Sequence, residues 1–511
     1  MLLVQALAGT GKTTTSVFGL GKKVPKGMIL SDEQKEIVKA MRVMKYKTCA
    51  AMAFNRSIAS VLQERTRDIP GVEAATSNAF GNRAWTEFLG SRPKVDGNKN
   101  RILFRELAGQ MSWKEKTAME GPVAKLVSLC KCNLLEPTNE NLVALCDEFD
   151  EEVDLKVFDF VEKVYQKGVE TKNMIDYDDQ LFMPIYYDIP LKQFDIVLVD
   201  ELQDLNRAKQ ELAFRLARLG IVGVGDEHQA IYGFSGADSQ AMGRFGVRMQ
   251  EAVLSYLKDE SGSTDFGMYG YRVLPLTMTR RCPKEIVRVA NKYVPEFRAT
   301  DDAPDGEVLR MNEGQMVSEL ISQEEGKMVL CRTNAPLASL AFKLIAEDRR
   351  CYIQGKDIGV GIKRDVERTK EQDLKIAVVK ACEMIEKKIS DLTSRPFPNE
   401  SKIDALRDRI NCIQYISQGC ETLKNFMDRV DSLFQDAGLP NDIQLSTVHK
   451  AKGLEHKNVV IYKPSKLPLI ISGKGRKVPK FQVQQEYNLA YVAYTRSMDK
   501  LIFAEEESAE D

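Results

Sequence analysis

Residues Leu2–Thr15 read Leu-Leu-Val-Gln-Ala-Leu-Ala-Gly-Thr-Gly-Lys-Thr-Thr-Thr, and few folds can accommodate such a stretch. An apolar run, a glycine turn and a Lys-Thr pair predict a buried strand that feeds a phosphate loop and then a helix. In that arrangement the backbone N–H groups of the turn cradle phosphates, Lys12 reaches the β and γ oxygens, and the Thr13 hydroxyl ligates Mg²⁺. Ala8, Gly9, Thr10, Gly11, Lys12, Thr13 and Thr14 are thus the candidate nucleotide-binding residues. Ala6 stands where the full pattern has its first glycine. The bland alternative is a strand that turns into a helix and holds nothing, so the rest of the chain has to decide.

The segments that follow alternate. Ser31-Asp32-Glu33-Gln34 has capping-box spacing and predicts an amphipathic helix through Met41. Cys49–Phe54 predicts a second strand running into Asn55 and a helix that ends near Arg65, and Val72–Thr76 a third strand. Such alternation implies a doubly wound parallel α/β sheet with ligands at the carboxyl ends of its strands. From about 83 to 172 the pattern is helical, charged and broken by loops, which reads as an inserted domain. Pattern returns at Met174–Asp179, and Phe194–Val199 is a continuous apolar run suited to a central parallel strand. It ends at Asp200-Glu201-Leu202-Gln203-Asp204. Carboxylates at the end of a buried strand are costly unless they hold a cation or do chemistry. Asp200 is therefore assigned to Mg²⁺ through water and Glu201 to the attacking water. A further strand, Ile221–Val224, delivers Gly225-Asp226-Glu227-His228-Gln229-Ala230-Ile231-Tyr232-Gly233-Phe234. Gln229 is placed to reach a γ-phosphate, and Tyr232 and Phe234 either stack on bases or belong to the core.

A second alternating unit begins near Val273, with strands at Leu274–Thr277 and Met328–Cys331. A second helical, charged insertion covers about 355–440, broken at Ser394-Arg395-Pro396-Phe397-Pro398. Strands at Ile443–Thr447, Val459–Tyr462 and Leu501–Ala504 and a helix from Gln485 to Arg496 complete the pattern, and 505–511 reads as a solvated acidic tail. The 511 residues leave room for about two to four domains. Lys and Arg number 73 against 74 Asp and Glu, so there is no global positive field and any polyanion track must be local. The 10 cysteines lack zinc-type spacing and read as reduced thiols. No apolar run has bilayer length and no basic segment precedes the first strand, so a cytoplasmic chain without a membrane partner is expected.

Taken in order, Ala6-Leu-Ala-Gly-Thr-Gly-Lys-Thr13, Ala53-Phe-Asn55, Asp200-Glu-Leu-Gln-Asp204, the segment Gly225–Ala237, Arg281, Thr447-Val-His-Lys-Ala-Lys-Gly-Leu-Glu455 and Asn488-Leu-Ala-Tyr-Val-Ala-Tyr-Thr-Arg496 resemble the motifs of the UvrD/Rep-type helicases of superfamily 1. The match covers most of the chain outside the two insertions. The resemblance implies two RecA-like domains, each with a mainly helical insertion. The first would be 1–82 with 173–265, interrupted by 83–172; the second 266–354 with 441–511, interrupted by 355–440. It implies ATP and Mg²⁺ as cofactors, Gln229 as the γ-phosphate sensor, Arg281 and Arg496 as arginine fingers, and Glu455 on the ribose. It also implies single-stranded DNA and duplex junctions as partners, met by Phe54, Asn55, Tyr232, Phe234 and His449, and movement 3′ to 5′. Single-strand-binding or replication and repair proteins would be further partners. The charge logic supports the arginines independently, because a transition state that spreads negative charge needs cations that arrive as the site closes.

The sequence departs from the family pattern at defined points. No glutamine-bearing segment precedes the phosphate loop, and Gln34 lies in a similar Ser-Asp-Glu-Gln context beyond it. Either Gln34 substitutes, or base selectivity is relaxed, or the reading frame has lost its beginning. Arg280 replaces an aromatic before Arg281 and offers its guanidinium plane for stacking. Ser235 and Asn78 replace an arginine and a histidine, which predicts weaker strand contacts. The expected activity is ATP-driven helicase or translocase action. The alternatives are a motor that strips proteins from single strands, and an ATP-gated binding module without turnover.

Overall fold

The computed structural model describes residues 1–149, 151, 153–231, 240–258, 270–323, 325–394, 400–439, 441–470 and 480–505. Tyr232 and Phe234, the break at 395–398 and most of the acidic tail lie outside the described residues. The chain divides into two compact units, Met1–Thr277 and Met278–Asp511.

In the first unit six strands form one sheet. They are β1 (Leu2–Ala6), β2 (Cys49–Ala53), β3 (Val72–Thr76), β4 (Phe194–Val199), β5 (Ala217–Gly225) and β6 (Arg272–Leu276). Every pairing is parallel, in the order β3-β2-β4-β5-β1-β6. All six residues of β4 are buried, as an unbroken apolar run covered on both faces demands. The topology sets β5 between β4 and β1, all parallel, so the ends that carry Asp200, Asp226 and the glycine turn share one rim. The strand read from the sequence as Leu274–Thr277 and as part of the second unit is β6, which instead pairs with β1 from Leu2↔Arg272 to Ala6↔Leu276 and closes the first sheet. Its alternating burial is that of an edge strand, and alternation does not say which sheet a strand joins.

The inserted helices Lys99–Leu107, Trp113–Asn133, Asn139–Phe149 and Lys156–Glu170 gather around a core of their own that includes Trp85, Phe104, Leu126, Val161 and Phe182. A buried quartet of charges ties them to the segment that returns to the sheet. Lys99 Nζ donates to Asp179 Oδ2 at 2.7 Å and to the carbonyls of Gly168 (2.7 Å) and Thr171 (3.2 Å). Lys131 Nζ pairs with Asp176 at 2.9 Å and Asp179 at 2.8 Å, and donates to Asn100 Oδ1 at 3.1 Å. Burial alone would lower the Lys131 ammonium, but Asp179 and Asp176 hold it above its ordinary value.

Among the described residues the main sheet of the second unit has seven strands: β7 (Glu307–Asn312), β8 (Met328–Cys331), β9 (Cys351–Gln354), β10 (Phe434–Gln435), β11 (Ile443–Thr447), β12 (His456–Tyr462) and β13 (Ser497–Glu505). They are all parallel, in the order β7-β13-β12-β8-β11-β9-β10. The helices Lys356–Glu367, Leu374–Thr393, Glu400–Ser417 and Leu423–Leu433 occupy the stretch read as a second insertion. Here Ile362, Ala381, Ile413 and Phe426 belong to one continuous core with the sheet residues Val329, Ile353, Leu445 and Val460. Asp408, from the third of these helices, accepts the backbone N–H groups of Asn334 (2.9 Å) and Ala335 (2.8 Å) where the helix Ala335–Ala346 begins. Among the described residues, no helix is long and apolar enough to cross a membrane.

Candidate active site

β1 ends at Ala6, and the turn 7–11 leads into α1 (Lys12–Gly19). Gly9 (φ +66°) and Gly11 (φ +81°) adopt the left-handed conformation that side-chain-bearing residues avoid. A Cβ on Gly11 would also meet the Gln34 amide at 3.1 Å. Thr13 Oγ1 donates to Asp200 Oδ2 at 2.9 Å, and Lys12 Nζ to Glu201 Oε2 at 3.2 Å. Glu201 itself lies at φ +53°, a conformation that costs on the order of 1–3 kcal/mol and persists only where the surroundings fix it. Its Oε2 also accepts from Gln203 Nε2 at 2.5 Å, while Gln203 Oε1 accepts the Asp226 N–H at 2.9 Å. Gln229 Nε2 donates to Asp226 Oδ2 at 2.6 Å. The structure thus brings Lys12, Thr13, Asp200, Glu201 and Gln229 together. It adds Gln203 and Asp226, whose places in the two acidic motifs were visible in the sequence but whose roles were not.

The charges around this rim do not balance. Asp200 and Asp226 are buried, 2% and 1% exposed. Burial, reinforced by Glu201, pushes the Asp200 carboxyl up to about 6, and burial raises Asp226 as well. Burial alone would lower the Lys12 ammonium, but Glu201, Asp226 and Asp200 hold it above its ordinary value. Among the described residues, the Lys12 ammonium therefore faces three carboxylates. Among the described residues no group of three or more His, Cys, Asp or Glu is arranged to hold a metal by itself. Mg²⁺ takes one or two protein ligands and completes its shell with water and phosphate oxygens, and the linked pair of Thr13 and Asp200 offers such ligands. Thr13 and Asp200 would hold it.

Gln34 is buried in α2 (Asp32–Val43), where Ser31 completes the expected capping box. Its Nε2 donates to the Thr10 carbonyl at 3.3 Å and to Thr15 Oγ1 at 3.2 Å, and its Oε1 accepts the Ser31 N–H at 3.0 Å. The amide is engaged by the phosphate loop and its own helix cap. At the same sheet rim, Asn55 Oδ1 caps α3 (Arg56–Thr66) by accepting the Ile58 N–H at 2.9 Å, and the Lys209 ammonium lies 4.4 Å above the Phe54 ring. Asn78 Nδ2 donates to the Tyr177 carbonyl at 2.7 Å and to Gln180 Oε1 at 3.1 Å. Tyr177 is 61% exposed there, an aromatic that the sequence reading passed over. Its signal was its position between Asp176 and Asp178, in the segment where alternation resumes.

In the second unit, Arg281, Glu455 and Arg496 meet at one corner. Arg281 Nε donates to Glu455 Oε2 at 2.7 Å and its Nη1 to the Thr495 carbonyl at 3.4 Å. Arg496 is 1% exposed and donates to the carbonyls of Val492 (2.9 Å) and Leu454 (3.1 Å) and to Thr495 Oγ1 (3.3 Å). His449 follows β11; burial, with Arg332 and Lys452 nearby, pushes its imidazole down to about 3, so it is neutral at physiological pH.

An all-parallel sheet with a phosphate loop beside an Asp-Glu strand end defines a phosphate-loop nucleotide-binding protein. The sequence matches the UvrD/REP helicase N-terminal domain over residues 1–250 and the UvrD-like helicase C-terminal domain over residues 134–508, and the chain belongs to the UvrD/Rep helicase family. It is 26% identical over 335 residues to a probable DNA helicase II homolog of Mycoplasma pneumoniae, a match covering 59% of this chain and 41% of that protein. It is also 26% identical over 337 residues to F-box DNA helicase protein 1 of Schizosaccharomyces pombe (62% and 34%). Over 117 residues it is 32% identical to the ATP-dependent DNA helicase PcrA of Staphylococcus epidermidis (20% and 16%). The chain spans less than half the length of each of these relatives.

Proposed function

We propose that this chain is an ATP-driven motor that moves 3′ to 5′ along single-stranded DNA and opens duplex at junctions. The observation that carries the reading is the linked set Lys12, Thr13, Asp200, Glu201, Asp226 and Gln229 on one rim. Lys12 and the loop N–H groups bind the phosphates, Glu201 orients and deprotonates the attacking water, and Gln229 registers the γ-phosphate. Thr13 and Asp200 would hold Mg²⁺, which would supply positive charge to the phosphates. Arg281 and Arg496 supply the transition-state cations, and Glu455 takes the ribose. Phe54, Asn55, Tyr177, Tyr232, Phe234 and His449 meet the strand, the aromatics by stacking, which tolerates any base. The two units act as RecA-like motor domains.

Steady-state ATP hydrolysis with and without single-stranded DNA, single-stranded RNA and duplex tests this reading. Strong stimulation by single-stranded DNA, lost in Glu201→Gln, is expected. Displacement assays on 3′-tailed and 5′-tailed duplexes then read direction and unwinding. Absence of turnover with every nucleic acid would overturn the motor in favour of a binding module, and protein displacement without strand separation would restrict it to translocation.

A further inference from the structure

The sequence marks the α2 helix by its capping box and by the Ser-Asp-Glu-Gln context of Gln34. Its Ile37, Met41 and Met44 side packs with Val17 and Leu20 of the α1 region and with Leu274 and Leu276 of β6. Two consecutive residues of its first turn then make polar contacts in two directions. Gln34 holds the Thr10 carbonyl and the Thr15 hydroxyl of the phosphate loop and α1. Glu33 grips Thr277 with both oxygens, Oε2 accepting the Thr277 N–H at 2.8 Å and Oε1 its hydroxyl at 2.7 Å. Thr277 is the last residue of the first unit, the single residue between β6 and the strand Met278–Thr279. A third link closes the circuit, since the Leu7 N–H at the start of the loop donates to the Leu276 carbonyl at 2.9 Å.

We infer that Glu33 and Gln34 couple the phosphate loop to the crossover at Thr277, so that filling the loop with nucleotide is transmitted to the start of the second unit. The inference rests on the motor reading and names a positioning pair for it. A charge-assisted, two-point grip removes the freedom of Thr277 to swivel, and the neighbouring amide makes that grip depend on the loop's shape. A purely structural Glu33 would only satisfy a strand end, and the two roles differ in what they move.

The test uses the full chain. The affinity for a labelled oligo-dT is measured by anisotropy with and without a non-hydrolysable ATP analogue, alongside affinity for a fluorescent ATP analogue. The wild type is expected to change its oligo-dT affinity by about fivefold or more on binding nucleotide, the lower end of ordinary coupling between two sites. Glu33→Gln and Thr277→Val should bring that ratio close to one while leaving nucleotide affinity unchanged. Glu36→Gln removes another pair between the same helix and β6, Glu36 with Arg272, and should keep the wild-type ratio. If both crossover variants keep the wild-type ratio, whatever their melting temperature, the inference fails. It also fails if Glu36→Gln loses the ratio equally, since helix docking would then explain everything. A wild type with no nucleotide-dependent change would bring down the motor reading itself.

Discussion

The first unit buries two clusters of lysines and carboxylates, and they are built to opposite accounts. In the quartet of Lys99, Lys131, Asp176 and Asp179, two ammoniums meet two carboxylates, and the spare donors end on carbonyl groups and on Asn100. On the phosphate rim, Lys12 faces Asp200, Glu201 and Asp226, so the cluster carries an excess of negative charge. Desolvated charge is tolerated when it is paired in place. The quartet pairs its charges one for one and fixes structure, whereas the rim concentrates carboxylates where a cation and phosphates would be held. Balance, more than burial, separates a strut from a site.

The contrast can be broken in four places, from the largest expected effect to the smallest. Glu201→Gln should lower single-strand-stimulated ATP hydrolysis by about 10²–10⁴-fold, the usual worth of a general base, with ATP affinity retained. Steady-state rates together with a nucleotide titration check it. Lys131→Met should cost about 3–5 kcal/mol of unfolding free energy, because Asp176 and Asp179 lose a shared ammonium while buried. Denaturant melts read this, and any loss of activity should follow the unfolded fraction.

Asp200→Asn should do the reverse and stabilise the Mg²⁺-free protein by up to about 2–3 kcal/mol at neutral pH, while removing hydrolysis. The sign follows from a carboxyl raised from its ordinary 3.8 to about 6 in the folded chain. The folded state then binds the proton more tightly than the unfolded one, so the contribution to stability is full below pH 3.8 and is lost as pH rises through about 6. Melting temperatures of wild type and variant should therefore converge on acidification, and Mg²⁺ should raise only the wild type. Tyr177→Ala sits within the quartet's own segment and should weaken oligo-dT binding by about 1 kcal/mol or somewhat more without changing stability. If it destabilises the chain as well, the quartet and the strand surface are one device.

What could be read from the sequence was local. The strand, turn and helix of residues 2–19 form one short segment and the acidic end of β4 another, and each has a composition that other structures tolerate poorly. The capping box at Ser31 was equally explicit. What escaped depends on distant partners. Leu274–Leu276 alternates as any edge strand does, and only its pairing with Leu2–Ala6 places it in the first sheet. Glu33 stood in the capping-box segment with no sign of its partner, because Thr277 lies far along the chain. Glu455 and Arg281 announced themselves by motif, but their mutual ion pair did not.

The two helical stretches also differ in how they can change over generations. The first gathers around a core distinct from the sheet's and is tied to the returning segment by a compact set of charges and by Phe182 and Met183, so it behaves as a cassette. The second is a wall of the room it occupies: its helices share the sheet's core, and Asp408 closes the start of the helix Ala335–Ala346. A cassette can be lengthened, shortened or exchanged whole. A wall can only be repaired brick by brick, each altered side chain on 356–433 answered by one on the strands it faces.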